Sequence, residues 1–264
     1  MGITMYTAES NYKTIRVREQ RGVCYLQLYR PESGNSINGT LIEEIMTVLH
    51  QLEKDAAIKV VVLEGLPDNF CTGMDFTAMS SSMSDVIAAD DPNGFYEMLK
   101  CFSLCPQAIV AKVEGKVNAG GIGLIAASDI VIADEKAIFS LSEALFGLLP
   151  ACVMPFLIRR IGYQKAQWMT LTTQSLTAER AYQIGLVDEL TTNVNDALRR
   201  NLLRLQRLDT DTIKSLKDYM SRLWIINQST QQLAVDKISA LVSTEKVQTN
   251  IKNFVQNGKF PWDK

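Results

Sequence analysis

The sequence predicts an α/β protein with a buried sheet, and three observations carry that prediction. Strand-like and helix-like segments alternate from the N-terminal region to about Thr177. Two of the strands, in IKVVVLEG and AIVAKVEG, are continuous apolar runs, the pattern of strands covered on both faces. Beyond Thr177 strand signals stop, and helical periodicity continues to the C-terminal tail.

In chain order, TIRVREQ and VCYLQLYR alternate apolar and polar residues around the turn RGV, which predicts an antiparallel hairpin. Leu41, Ile42, Ile45, Met46 and Leu49 fall at helical spacing, with Asn35, Ser36 and Asn38 available to cap the start. The strand IKVVVLEG follows and closes in the glycine turn FCTGMDF. Residues 77–95 are small and acidic, so the core pattern fades and a loop over a site is expected. A helix around Tyr96–Leu104 leads through Pro106 to AIVAKVEG. KVNAGGIGLIAASDIVIAD reads as glycine turn, buried helix and strand, and AIFSLSEALFG repeats the theme before Pro150 and a helix near Pro155–Ile161. The segments AERAYQIGLVDEL, DALRRNLLRLQRL, DTIKSLKDYMSRLW and TQQLAVDKISALVSTEKVQTNIKNFVQ read as helices, the last ended by Gly258. This helical part is too thin to hold its own core. It divides the chain into a core at 1–195 and a helical region at 196–264 that packs on the sheet, on a neighbouring subunit, or on both.

Composition narrows the chemistry. The 264 residues carry 27 Lys+Arg against 29 Asp+Glu, a net charge of -2, which argues against electrostatic binding of nucleic acid. No apolar run reaches the roughly 18 residues of a membrane span, and MGITMYTAES has no basic-then-apolar signal, so a cytoplasmic protein without a membrane partner is expected. Five cysteines do not suggest a disulfide framework. The single histidine, His50, excludes a His-rich metal site and confines any Ser-His or Cys-His nucleophile to one residue at a helix end. Cys101 and Cys105 lack partners for zinc, and no metal is expected.

Two glycine-bearing turns follow apolar strands: Cys71–Asp75 and Ala119–Gly123. Glycines permit tight turns and close packing, and that reading accounts for each turn taken alone. Converging turns next to a helix start would also offer backbone N–H groups to a developing oxyanion. AGGIG lacks the spacing of a dinucleotide fingerprint, and no phosphate-loop lysine follows.

Read together, LYRPESGNSIN, NFCTGMDF, VNAGGIGLIAASDIVIAD, FSLSEALFGLLP, LTAERAYQIGLVDEL and GKFPW resemble, in order, the signatures of the crotonase (enoyl-CoA hydratase/isomerase) superfamily. The resemblance implies the crotonase fold: repeated ββα units in a spiral core, with C-terminal helices used in trimerisation. It implies an oxyanion hole made by the backbone N–H groups of Met74 and Gly120, holding a thioester oxygen as it becomes an enolate. Hydratases of this family use two glutamates. One matches Glu143; the position of the other holds Gly123, so the chain keeps one of the two acid–base groups. Apolar Leu141, Leu145 and Phe146 around Glu143 would raise its pKa.

KVNAGGIG, SLSEALFGLLPACVMPFLIRRIG and YQKAQWMTL are similar to the crotonase homologues of polyketide β-branching cassettes, closest to their dehydratase branch. That likeness implies a hydro-lyase converting 3-hydroxy-3-methylglutaryl-acyl carrier protein to 3-methylglutaconyl-acyl carrier protein. The decarboxylating or isomerising sister activities, a generic enoyl-CoA hydratase, and a non-catalytic scaffold or RNA-binding relative are the alternatives. No cofactor is implied beyond the phosphopantetheine- or CoA-linked thioester. Arg30 matches an arginine near the pantetheine-phosphate entrance, and Lys259 lies in a tail that closes over it. Lys100, Lys112 and Lys116 are candidates for the substrate's distal carboxylate by proximity in sequence alone. Arg199, Arg200, Arg204, Arg207, Lys214 and Lys217 would steer an acidic carrier protein. A homotrimer or hexamer is implied.

Overall fold

A computed structural model describes residues 12–76, 92–224 and 226–263. The hairpin β1 (Ile15–Gln20) and β2 (Val23–Leu28) pairs antiparallel with Ile15 opposite Leu28. Asn38 accepts from the Leu41 N–H and starts α1 (Gly39–Leu52), as the cap cluster predicts. β3 (Val60–Glu64) is buried throughout and leads to the short β4 (Asn69–Cys71).

Helix α2 runs over Pro92–Leu104, one turn earlier than the expected start near Tyr96. Proline's fixed φ suits a first helical turn, so the segment read as loop to residue 95 is already helix from Pro92. The rest of that expected loop, residues 77–91, lies outside the described residues. Then follow β5 (Ala108–Val113), β6 (Lys116–Asn118), α3 (Gly120–Ala127), β7 (Ile130–Asp134) and β8 (Ile138–Ser140). A 3-10 turn at Glu143–Phe146 precedes α4 (Met154–Ile161) and α5 (Tyr163–Thr172).

The strands do not stop at Thr177. β9 (Leu176–Thr177) pairs antiparallel with β8, and after α6 (Ala178–Gln183) comes β10 (Glu189–Thr191), parallel to β7. Gly185, at φ 85°, separates α6 from the buried Leu186 and Val187. A strand of three residues is too short to show a period of two, so AERAYQIGLVDEL reads as one helix until the sheet is seen.

The larger sheet has the order β1-β2-β3-β5-β7-β10, parallel except for the opening hairpin. The smaller has the order β4-β6-β8-β9. Each strand pair β3–β4, β5–β6 and β7–β8 sends its first member to one sheet and its second to the other. This is the repeated unit that the family resemblance implies.

Both faces of the large sheet are covered. Cys24, Leu26, Val61, Leu63, Ile109 and Ala111 face the main core with α1, α2 and α3. Val23, Val60, Val62, Val110 and Ile132 face Ala197, Leu198 and Leu202 of α7 (Val194–Leu205). The expected division between 195 and 196 therefore falls inside a helix that seals the sheet, and the core extends through α7. α8 (Thr210–Arg222) docks on α2 through the buried Lys217, whose ammonium donates to Phe102 O at 2.8 Å, Gln107 O at 2.9 Å and Asp129 at 2.8 Å. α9 (Gln228–Val242) also packs on α2, and α10 (Glu245–Asn257) packs on the 3-10 turn, ending at Gly258 with φ 63°.

Candidate active site

Three segments converge at the start of α3. In the first, Ile37 bridges Met74: the Ile37 N–H donates to Gly73 O at 2.7 Å, and the Asp75 N–H donates to Ile37 O at 2.8 Å. This pairing uses the groups on either side of Met74, whose own N–H has no acceptor among the described residues. In the second, Ala119 holds φ 49° and ψ -117°, a left-handed φ that costs a non-glycine residue about 1–3 kcal/mol. It delivers the N–H of Gly120 at the first position of α3, where no preceding turn supplies an acceptor. The two turns touch: a Cβ built on Gly73 would lie 2.8 Å from the Ala119 Cβ and 3.5 Å from the Gly120 nitrogen. Gly120 itself faces the Met74 sulfur and Phe95.

The third segment is the 3-10 turn, which begins with Glu143. The residue as a whole is half-buried, but its Oε2 is closed off from solvent and accepts no hydrogen bond from the described residues. Burial pushes its pKa up from 4.5 to about 7, partly offset by its own backbone N–H. Glu143, Met74 and Gly120 line one cavity of about 100 Å³, whose remaining described wall includes Phe76, Phe95, Cys152, Val153, Ile238 and Val242. A carboxyl whose pKa is raised toward neutrality, lining one cavity with two backbone donors that have no acceptor among the described residues, can move a proton at a carbon while the N–H groups hold the charge that develops.

Among the described residues of the cavity wall Glu143 is the one carboxylate. A Cβ on Gly123 would meet the Val153 Cγ2 at 2.9 Å, the Leu99 Cδ1 at 3.2 Å and the Phe95 ring at 3.3 Å. Packed side chains thus fill the position that the second glutamate occupies in the family's hydratases.

Arg30, the candidate for the pantetheine phosphate, is largely buried beside the Met74 turn. Its side chain is 13% exposed, and its fork is engaged internally: to Asp75 at 2.8 Å, and to the carbonyl and hydroxyl oxygens of Ser36 at 2.6 and 3.0 Å. It clamps the two strands of chain, around Ile37 and Asp75, that present the Met74 N–H. Arg30→Ala is expected to cost about 3 kcal/mol, the usual result of removing one partner of a buried ion pair, and to lower turnover with it. Thermal melts and steady-state rates check both; an unchanged melting temperature would exclude the clamp.

The other expected cations are dispersed. Lys112 pairs with Glu114 at 2.9 Å and Glu64 at 3.7 Å, Lys100 with Glu97 at 3.4 Å, and Lys116 is exposed on β6; none lines the cavity. Arg199, Arg200 and Arg204 belong to α7, on the face of the large sheet opposite α2 and α3, and Arg207 follows it. Arg199 and Arg200 already bind Asp196, Lys217 is buried, and Lys214 is exposed on α8; none of them lines the cavity. Lys259 is exposed beside Phe260, whose ring packs on Phe146 of the 3-10 turn.

Ile238 and Val242 are not among the sequence candidates. Their helical spacing marks an apolar stripe on α9, but spacing does not say that the stripe closes this chain's own cavity. Nor do Phe76, Phe146, Phe254, Phe260 and Trp262, whose rings touch in succession, edge-on, tilted and finally stacked, at the turn that carries Glu143, stand out before the tail folds back.

Comparison with known proteins agrees with this geometry. The family model described as enoyl-CoA hydratase/isomerase matches residues 18–264. The chain is 44% identical to the bacillaene synthase dehydratase PksH of Bacillus subtilis, over 96% of this chain and 97% of that one. It is 31% identical to the 2,3-dehydroadipyl-CoA hydratase of Escherichia coli over 66% of this chain and 68% of the other. A crystal structure from Bacillus subtilis, described as a polyketide biosynthesis enoyl-CoA hydratase, superposes with a TM-score of 0.90 at 43% identity, covering 95% of this chain and all of that one. The fold agrees with these matches, and the chain belongs to the enoyl-CoA hydratase/isomerase family, the crotonase superfamily, as an enzyme of the hydro-lyase type.

Proposed function

We propose that this enzyme dehydrates 3-hydroxy-3-methylglutaryl-acyl carrier protein to 3-methylglutaconyl-acyl carrier protein in polyketide β-branching. The observation that carries the reading is the 44% identity, over nearly the whole of both chains, to a dehydratase of a polyketide synthase. The site supplies a mechanism. The Glu143 carboxylate takes the α-proton, and the electron pair moves into the thioester carbonyl, whose oxygen receives the Met74 and Gly120 N–H groups. The enolate then collapses: the carbonyl reforms, the C2–C3 double bond forms, and the C3–O bond breaks as Glu143 returns the proton to the departing hydroxyl. One water leaves and the carboxylate is regenerated. A syn elimination of this kind needs one acid–base group on one face, which suits a site with no room for a second. It needs no cofactor beyond the substrate's own thioester arm.

In this reading the protein is cytoplasmic and works as a trimer or paired trimers. Among the described residues no helix is long and apolar enough to cross a membrane. Leu216, Tyr219, Met220, Leu223 and Leu233 are exposed on and after α8, an apolar surface that another subunit would cover. Lys259, beside the aromatic tail, is a second candidate for the pantetheine phosphate.

A second reading is favoured by the cavity wall. Apart from Glu143, the described lining carries no carboxylate and no cation, which suits an unbranched apolar acyl group better than a diacid. Intact-mass spectrometry of carrier protein loaded with 3-hydroxy-3-methylglutaryl, with 3-hydroxybutyryl-CoA in parallel, decides between them. Loss of one water from the loaded carrier is the expected result, and a further loss of carbon dioxide would move the enzyme to the decarboxylating branch. Turnover of 3-hydroxybutyryl-CoA alone would replace the first reading with the second.

A further inference from the structure

Asn118 closes β6 immediately before the strained Ala119 and stands where all three segments of the site meet. Its side-chain oxygen accepts two hydroxyl donors, Ser140 Oγ at 2.8 Å and Ser142 Oγ at 3.1 Å. Its amide nitrogen donates to Thr72 O at 3.5 Å, in the turn that presents Met74. The backbone reinforces the junction, since the Ala119 N–H donates to Ser140 O at 3.1 Å and Asn118 lies opposite Ser140 in the strand register. Ser142 directly precedes Glu143, and its hydroxyl makes no capping bond to the 3-10 turn. The Ser142 hydroxyl is therefore committed to Asn118 rather than to the turn it introduces.

We propose that Asn118 is the positioning residue for the base: through Ser142 it sets where the 3-10 turn starts, and so where the Glu143 carboxyl points relative to the Met74 and Gly120 donors. The Glu143 Oε2 has no hydrogen bond from the described residues to hold it, so its direction is inherited from the backbone that carries it. An amide suits this task better than a carboxylate. It accepts both hydroxyls and reaches the Thr72 carbonyl without placing a second negative charge beside the base.

The inference rests on Glu143 acting as the base, and the experiment separates the two. Asn118→Ala and Ser142→Ala are expected to lower kcat by about 10- to 100-fold each with KM changed less than about threefold, because misdirection of a proton-transfer group is felt in the transition state. The double variant is expected to lose no more than Asn118→Ala alone, and Asn118→Asp, which keeps the oxygen that accepts both hydroxyls, to recover part of kcat with the acid limb of its pH profile moved upward. Wild-type kcat in Ser142→Ala, or losses that multiply in the double variant, would overturn the route through Ser142. Turnover retained by Glu143→Gln would instead overturn the base itself. A readout without substrate covers the case in which no turnover is measured. The pH-dependent difference in melting temperature between wild type and Glu143→Gln is expected to shrink in an Asn118→Ala background, and an unchanged difference would overturn the proposal.

Discussion

Glu143→Gln is expected to reduce kcat by about 10²–10⁴-fold while leaving the fold intact, because it removes the one acid–base group that the described cavity wall offers. The same substitution has a stability signature of opposite sign. The folded-state pKa of about 7 lies above the ordinary 4.5, so between these values the folded protein holds a proton that the unfolded chain has released. The stability of the wild type therefore falls as pH rises through that window. The burial cost is fully present above about pH 7 and absent below about pH 4.5. At 1.36 kcal/mol per pKa unit the whole effect is about 3 kcal/mol at most. The glutamine of the variant carries no charge to bury, so its melting temperature is expected to exceed that of the wild type at about pH 8 and to converge with it toward about pH 5. In the wild type, kcat/KM is expected to rise with pH and level off above about 7, as the base ionises. Melting curves at both pH values and one pH–rate profile check these outcomes together. A variant less stable than wild type at the higher pH would contradict a carboxyl whose charge is disfavoured by burial.

Gly73→Ala is the substitution expected to damage the oxyanion hole most. Gly73 holds φ 98°, where an alanine is strained, and the new Cβ would lie 2.8 Å from the Ala119 Cβ and 3.3 Å from Asn118 O. Relief requires the two donor turns to move apart, which displaces both the Met74 and the Gly120 N–H. Loss of one such donor costs about 3–4 kcal/mol of transition-state stabilisation, so a fall in kcat of at least about 10²-fold is expected. Met74→Ala is the control: the donor is backbone, and its rate should stay within about tenfold of wild type. A larger loss in Met74→Ala than in Gly73→Ala would show that the methionine side chain, not the turn, carries the effect.

Much of the architecture is legible in the sequence because each signal is local. The apolar run of β3, the Asn38 cap of α1 and the Gly258 stop of α10 each depend on residues close in the chain. Where such signals are short, they fail. β10 has three residues, and α2 starts at a proline that reads equally as the end of a loop. Glu143 is legible as a motif position flanked by apolar residues, and the two glycine turns as segments able to offer backbone donors.

Other assignments need the fold. Arg30 looks like any exposed cation beside a turn until Asp75, 45 positions away, occupies its fork. The arginines of α7 look like a docking face until the sheet is seen to separate them from the cavity. Gly123 shows in the sequence that one glutamate is missing. Only packing shows that Val153, Leu99 and Phe95 crowd the space a side chain at Gly123 would enter. The division has a physical basis. Backbone conformation, capping and amphipathic period are decided by neighbours along the chain, and the order of residues records them directly. Which charges pair, which helix covers which face and what a cavity admits depend on contacts between residues distant in sequence, and those exist only after the sheets have closed.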